Sequence, residues 1–362
     1  MGIRNLNKFL RDMCPNVFEE IHISDYAFRK VAIDISLYAN VFKASSSDRW
    51  LGQFLRMIEC LRKNNVHCVF IYDTSSPPEK SEERKRRSDR KKNHANRIIA
   101  IEDALDTYYK TGEVDGKLLD FQKKRGLEKK SFLIPNKIPI VNESGIEFEL
   151  DRMKKSIFHV TRNDFKITKN LFDILNVPYY QAPMEAETTC SDLCKQGSVD
   201  AVLSRDSDVI AYGTPIFLTQ IESGSGYCKQ IRYQDVLTSL DLTSDQFLDF
   251  CIMCGTDYNS NIPKIGPKNA YKYIKRFGCI EAIQQALKID VSILNHIRTR
   301  ELFIDYEKVD FKIPHCGKPD FEKLVEFAFI NNLQISEKRL KDSFCTTNII
   351  LVEEENDEEN NV

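Results

Sequence analysis

No run in the 362 residues is apolar for long enough to cross a bilayer, and the opening MGIRNLNKFLRDM lacks the apolar centre of a signal peptide. No membrane partner is expected, and the chain is read as intracellular, in nucleus or cytoplasm. Met1-Gly2 invites N-myristoylation, but Leu6 stands where Ser or Thr is needed. Histidine is scarce, six residues scattered with none beside the acids described below, and no Ser-His-Asp set is apparent. Eleven cysteines occur singly or as Cys190-x3-Cys194 and Cys251-x2-Cys254. Nothing completes a set of four metal ligands, so they read as buried thiols in a reducing compartment, not as zinc sites or a disulfide framework. There is no internal repeat. Net charge is −2, which alone gives no sign of a nucleic-acid partner.

The distribution of charge says more. Six acids and no base follow Val352, so residues 1–352 carry +4. Basic residues concentrate at Lys80, Arg84, Lys85, Arg86, Arg87, Arg90, Lys91 and Lys92, and again at Lys123, Lys124, Arg125, Lys129 and Lys130. A charge run is usually a solvated helix face. This one begins just after Asp73, beside the acids that matter most. RKRRSDRKK also has the composition of a nuclear-import signal, which binding to DNA explains equally well.

Seven acids stand at or just past the ends of apolar runs: Asp34 in KVAID, Asp73 after CVFIY, Glu185 and Glu187, Asp206 and Asp208, and Asp257 in CGTDY. A carboxylate beside a buried segment is costly unless something positive neutralises it. The repetition points to one shared site for hard, oxygen-preferring ions. RKVAID and HCVFIYD are short β-branched runs separated by a helical WLGQFLRMIECLRKNN, a strand–helix–strand unit that predicts a parallel α/β sheet. Ligands of such sheets gather at the carboxyl ends of the strands. VDAVLSRDSD is read as another strand, and Ser223-Gly224-Ser225-Gly226 as the turn of a hairpin. Residues 79–165 break this pattern and are read as a large insertion that starts as a basic helix, with FLIPNKIPIVNESGIEFEL showing no long helical period.

Acids at i and i+2 face the same way in extended chain, so Asp206 and Asp208 can both reach one ion. Glu185 and Glu187 can do so from the irregular turn before their helix, although alone they read equally well as helix N-terminal acids stabilised by the dipole. Two divalent ions, roughly 4 Å apart, would clamp the attacking and leaving oxygens of a displacement at phosphorus. The turn NIPKIGPKNA between two helices lets backbone N–H groups approach phosphate, and read alone is equally a simple helical corner.

Taken together, MGIRNL, VAID, YQAPMEAE, SRDSDVIAYG and CGTDYNSNIPKIGPKNA resemble the flap endonuclease / XPG family of structure-specific 5′-nucleases in order and spacing. The resemblance implies an α/β, PIN-like three-layer fold with a mainly parallel sheet, a helical arch insertion and a helix–two-turn–helix that grips duplex DNA. It implies Mg²⁺-dependent two-metal hydrolysis of flapped or branched DNA, with Mn²⁺ as a substitute and K⁺ at the helix–two-turn–helix. Asp34, Asp73, Glu185, Glu187, Asp206, Asp208 and Asp257 fall on the family's metal acids, and Lys80 and Arg87 on its catalytic arch cations. Gly2, Arg84, Lys264, Gly266 and Lys268 are expected at the DNA, with a helix starting at Gly2. Cleavage of 5′ flaps, exonucleolysis and junction resolution share these residues. A phosphatase with Asp206 as nucleophile would leave Asp34, Asp73 and Asp257 unexplained, and a DNA-binding scaffold would not need seven acids facing phosphate.

The chain departs from the family in three ways: a longer arch, Lys264-Ile265-Gly266 in place of Gly-Ile-Gly, and an acidic tail where a clamp-binding motif and basic tail are usual. Sliding-clamp binding is therefore not expected, a monomer is, and a viral or compact-genome member would suit this architecture. The expected organisation is an N-terminal nuclease region 1–92, an arch 93–165, an internal region 166–300 with the helix–two-turn–helix near 245–285, a C-terminal extension 301–350 packing on the core, and a disordered acidic tail 351–362.

Overall fold

The computed structural model describes residues 2–46, 49–127 and 141–344. The acidic tail and Lys129 and Lys130 lie outside these residues. Seven strands form one sheet: β1 (Glu19–His22), β2 (Lys30–Asp34), β3 (His67–Tyr72), β4 (Tyr179–Gln181), β5 (Ala201–Leu203), β6 (Ile216–Thr219) and β7 (Tyr227–Arg232), in the order β1-β7-β6-β5-β2-β3-β4. The five strands from β6 to β4 run parallel, and β7 and β1 join by antiparallel pairing. The hairpin expected at Ser223–Gly226 is the connection between β6 and β7.

Strand periodicity explains the three layers. On β2 and β3, Val31, Ile33, Cys68, Phe70 and Tyr72 face one core, while Ala32, Val69 and Ile71 face the other. The first core is closed by helices Trp50–Lys63, Arg162–Ile174, Phe321–Ile330 and Glu337–Phe344. The second is closed by Leu6–Met13, Ala186–Lys195, Ser244–Cys254 and Pro267–Phe277. Both faces are covered, as a parallel sheet requires. All ten described cysteines are free and nine are buried, including both spaced pairs.

The arch rises from a 31-residue helix, Ser81–Thr111, which runs unbroken across residues 92 and 93. At 1.5 Å per residue it spans about 46 Å. Its first half is almost wholly exposed. Its second half buries Ile98, Ile101 and Leu105 against helices Gly116–Arg125 and Glu143–Lys155, a third core separate from the other two. While FLIPNKIPI lies outside the described residues, helix Glu143–Lys155 corrects the sequence reading for the ESGIEFEL end of FLIPNKIPIVNESGIEFEL. Only Ile146, Leu150 and Met153 mark its buried face, too short a period to stand out, and Asn142 caps it by accepting from the Gly145 N–H. A second correction concerns the N-terminus, where the first helix starts at Leu6 after a turn and not at Gly2.

Candidate active site

The parallel strands end together, and their ends carry the acids. Asp34 is the last residue of β2, and its Oδ1 accepts the Ser36 and Leu37 N–H groups at 2.8 and 3.2 Å. Asp73 follows β3 and accepts the Ala186 N–H at 2.7 Å, tying that strand to the N-terminus of the helix bearing Glu187. Glu185 is the N-cap of this helix in extended conformation and Glu187 lies in its first turn. β5 stops at Leu203, so Asp206 and Asp208 converge through a tight turn and not along an extended strand as their spacing had suggested. Ser207 is helical in conformation, Asp208 opens a short helix, and the Asp208 N–H donates to Asp206 Oδ1 at 3.1 Å.

Carboxylate oxygens of Glu187, Asp206 and Asp208 lie within 4.8 Å of one another, all three residues buried. Neither oxygen of Asp208 has a hydrogen-bond partner among the described residues. Burial, then repulsion within the cluster, raises the pKa of Asp34 and Asp208 well above the usual range. The same causes bring Glu185 and Asp206 to about 7. Like charges packed this way are unfavourable by themselves, and an all-carboxylate donor set with unused buried oxygens fits a hard divalent cation.

Two cations from the arch base already meet the acids. Lys80 Nζ lies 2.7 Å from Glu185 Oε1, 2.7 Å from Glu187 Oε1 and 3.9 Å from Asp257 Oδ2. Burial would lower its pKa, but Glu187, Tyr212 and Glu185 outweigh that and hold the ammonium firmly charged. Arg87 reaches Asp257 Oδ2 at 2.7 Å and Glu83 at 3.0 Å. Thus all nine predicted metal and catalytic residues border one site, although only three acids form the tight cluster. Gly2 borders it too. Its φ is +80°, and a Cβ there would sit 2.0 Å from Asp206 Oδ1, so only glycine lets the N-terminal turn come this close. Arg84 is exposed on the arch helix, Lys264 and Gly266 on the turn before Pro267–Phe277, and Lys268 in the first turn of that helix.

Three residues were missed by the sequence reading. Tyr258 donates to Glu185 Oε2 at 2.7 Å, shares a hydrogen bond with the buried Tyr212, and lies under the Lys80 ammonium, 5.0 Å from its ring centre. Arg4 ties the N-terminus to the turn that carries Asp257, through its N–H to Gly255 O and its guanidinium to Asn261 Oδ1. The adjacency of Tyr258 to Asp257 was the only available signal.

The parallel sheet with a carboxylate cluster at its strand ends is the architecture of the PIN-like α/β class of nucleases. Residues 1–94 match the XPG N-terminal domain and residues 176–257 the XPG I-region. The chain is 34% identical to a probable RAD2-like endonuclease of Invertebrate iridescent virus 3, covering 92% of each. It is 30% identical to flap endonuclease 1 of Glossina morsitans morsitans, covering 94% of this chain and 84% of that one. Among solved structures, the catalytic core of Rad2 in complex with DNA substrate superposes with a TM-score of 0.64 at 17% identity, covering 94% and 98% of the two chains. The chain belongs to the XPG family of RAD2-like and flap endonucleases and is a phosphodiester-hydrolysing enzyme.

Proposed function

We propose that this nuclease uses two Mg²⁺ ions to cut DNA at the base of 5′ flaps, with 5′–3′ exonucleolysis as a side activity, in replication, repair or recombination. The observation that carries this reading is the buried Asp208, both oxygens unpartnered among the described residues, within a 4.8 Å cluster with Glu187 and Asp206 and beside the arch cation Lys80. Glu187, Asp206 and Asp208 would hold one ion, and Asp34, Asp73, Glu185 and Asp257 would complete the binding of the pair. When bound, such ions polarise the phosphodiester and lower the pKa of water. Lys80 and Arg87 supply fixed positive charge to the transferring phosphoryl group, where it acts on the transition state more than on the ground state. Gly2 leaves room at Asp206, and Arg4 holds the Asp257 turn in place.

Arg84 on the arch, with Lys264, Gly266 and Lys268 at the helical turn, would contact the phosphates of flapped or branched duplex DNA. Gly266 is the N-cap of helix Pro267–Phe277, and the positive end of the helix dipole there favours an anion. In that turn the carbonyls of Ile262 and Ile265 converge on one donor, the Asn261 amide at 3.1 Å from each. A K⁺ ion there would have to displace this amide, and DNA binding compared in K⁺ and Na⁺ tests the point. The working form would be a monomer recruited without a sliding clamp.

The deciding experiment is a single-turnover digest of an end-labelled 5′-flap duplex in Mg²⁺, with EDTA and Asp208→Asn controls, and with four-way-junction and gapped substrates in parallel. Incision near the flap base, lost in both controls, is the expected result. Preferred incision of the junction would instead make the chain a resolving enzyme, and binding without incision a scaffold.

A further inference from the structure

All ten described cysteines are free, and the nuclease chemistry uses none of them. Two of them, distant in sequence, meet at one place. Residues 305–320 form neither helix nor strand and run as a strap from helix His296–Ile304 to helix Phe321–Ile330. The strap is pinned along its length: the Val309 N–H donates to Asp192 Oδ2 at 3.0 Å, the Tyr180 hydroxyl to Lys312 O at 2.8 Å, and the Gly317 N–H to Asn176 O at 2.8 Å. This path lays Cys316 against Cys68 of β3, 248 positions away. The Cys68 N–H donates to Cys316 Sγ and the Cys316 thiol to Cys68 O, each at 3.3 Å, and the two thiols lie within hydrogen-bond reach of each other. Polar groups collect on the Cys316 side of the pair. His67 Nδ1 accepts the Cys316 N–H at 2.9 Å and a guanidinium N–H of Arg62 at 2.8 Å, and the exposed His315 ring packs edge-on against His67. The hydrogen bond from the Cys68 thiol, with help from His67 and Arg62 and against the effect of burial, holds the Cys316 thiol well below the usual range. Cys68 stands well above it, because its thiol is committed as a donor to Cys316 and is itself buried.

We propose that Cys316 and Cys68 are a redox site, a peroxide-reactive thiol and its resolving partner, which close to a disulfide. The thiolate is the nucleophile in such chemistry, and a basic, slightly open setting beside a second thiol is what a redox-sensing cysteine requires. Cys316 is 7% exposed and Cys68 1%, which restricts the oxidant to one as small as hydrogen peroxide. The Cys316 thiolate attacks one peroxide oxygen: the S–O bond forms, the O–O bond breaks, and the departing hydroxide takes up the proton of the Cys316 thiol as water. The Cys68 thiol then attacks the sulfenic sulfur: the S–S bond forms, the S–O bond breaks, and a second water leaves with the Cys68 proton. Two thiols thus lose two electrons to one peroxide and give one disulfide and two waters. Reduced, the strap is held to β3 by hydrogen bonds. Oxidised, it closes a loop of 248 positions, so the protein would resist unfolding while peroxide is present and return to its resting state when a thiol reductant prevails.

The test treats the whole chain with hydrogen peroxide, stops the reaction with catalase, alkylates the remaining thiols in denaturant and maps the peptides by mass spectrometry. In the wild type a Cys68–Cys316 cross-linked peptide should form, with both cysteines oxidised at least about tenfold faster than the other buried thiols. Oxidation should raise the melting temperature by up to roughly 7 °C, the chain-entropy scale of so long a loop, and dithiothreitol should reverse the rise. Cys68→Ser should stop the reaction at a sulfenic acid on Cys316, trapped by dimedone, and Cys316→Ser should leave Cys68 reduced. The wild-type mapping keeps the test open if either variant fails to fold. Cys316 oxidised no faster than the other cysteines, or joined to one of them in place of Cys68, would overturn the site. A dimedone adduct on Cys68 in Cys316→Ser would overturn the assigned roles, and a melting temperature that does not rise once the cross-link has formed would overturn the stapling.

Discussion

Asparagine at position 208 should make the metal-free protein more stable and the enzyme inert. Asp208 is fully buried, has no hydrogen-bond partner for either oxygen among the described residues, and faces Asp206, Glu187 and Asp257, which burial turns into strong repulsion. The amide keeps the shape, removes one like charge, and offers a donor to its acidic neighbours. An unsatisfied buried group costs about 1–3 kcal/mol. With an unfolding entropy of about 2.1 cal/mol/K per residue over this chain, each kcal/mol corresponds to roughly 1.3 °C. In EDTA, Asp208→Asn should therefore melt about 1–4 °C above wild type. Saturating Mg²⁺, at a hundred times its Kd, should add about 2.7 kcal/mol to the wild type, or roughly 3–4 °C, and little to the variant, so the gap should close or reverse. Single-turnover cleavage should fall by at least about a thousandfold, while DNA affinity in EDTA holds. The reasoning fails if the variant melts below wild type in EDTA, or if it keeps a Mg²⁺-dependent shift together with turnover.

Alanine at Lys80 or Arg87 should slow single-turnover cleavage by about a hundredfold or more while changing DNA affinity far less; equal losses in both would make them plain phosphate anchors. In EDTA, stability should fall as pH rises. Glu185 and Asp206 have folded-state pKa values raised to about 7, so the folded protein holds protons that the unfolded chain has released, and stability declines from the ordinary carboxylate range up through about pH 7. Melting curves from about pH 4.5 to 8 check the slope, and Mg²⁺ affinity should weaken below about pH 7, because each ion must displace protons. A metal-free melting temperature that climbs across this window would contradict the assignment. Arg300 joins three helices, bonding Asp249 at 2.6 and 2.7 Å and Glu281 at 2.6 and 2.9 Å. Arg300→Ala strands the buried Asp249, costs about 3 kcal/mol, and should lower the melting temperature by roughly 4 °C while the cleavage rate of folded enzyme is kept. Lys264 adopts φ +66°, which costs a residue with a Cβ about 1–2 kcal/mol; Lys264→Gly should raise the melting temperature slightly, and a drop would show that the lysine side chain braces the turn.

The parts legible in the sequence were those governed by local pattern. Short β-branched runs that stop on an acid mark both a strand and its functional end, which is why Asp34 and Asp73 could be placed from VAID and FIYD alone. Asp206 and Asp208 come together by another route than the extended strand their spacing suggested, since a tight turn at Ser207 brings them together as effectively. What escaped depends on contacts that carry no local mark. Tyr258 meets Glu185 across 73 positions, and Arg4 meets Asn261 across 257. Helix Glu143–Lys155 shows only three buried apolar positions on a polar background, because its partner is a small private core and not the sheet.

The distribution of cations bears on how the site can work. Among the described residues, every positive side chain paired with the site acids comes from the arch base, none from the two large cores. A cation fixed in the core would neutralise the acids permanently and oppose a metal. Lys80 carries its charge on a flexible four-carbon stem, and the Arg87 side chain is 40% exposed, so both can hold the carboxylates in check in the metal-free protein and then turn to phosphate. Charge counting supports the stoichiometry. With all seven carboxylates ionised, as metal binding requires, Lys80 and Arg87 leave five negative charges. One divalent ion would leave three of them, whereas two bring the site within one charge of neutrality. That balance also restrains the approach of DNA: an under-filled site repels the phosphate it must cut, and a filled one accepts it.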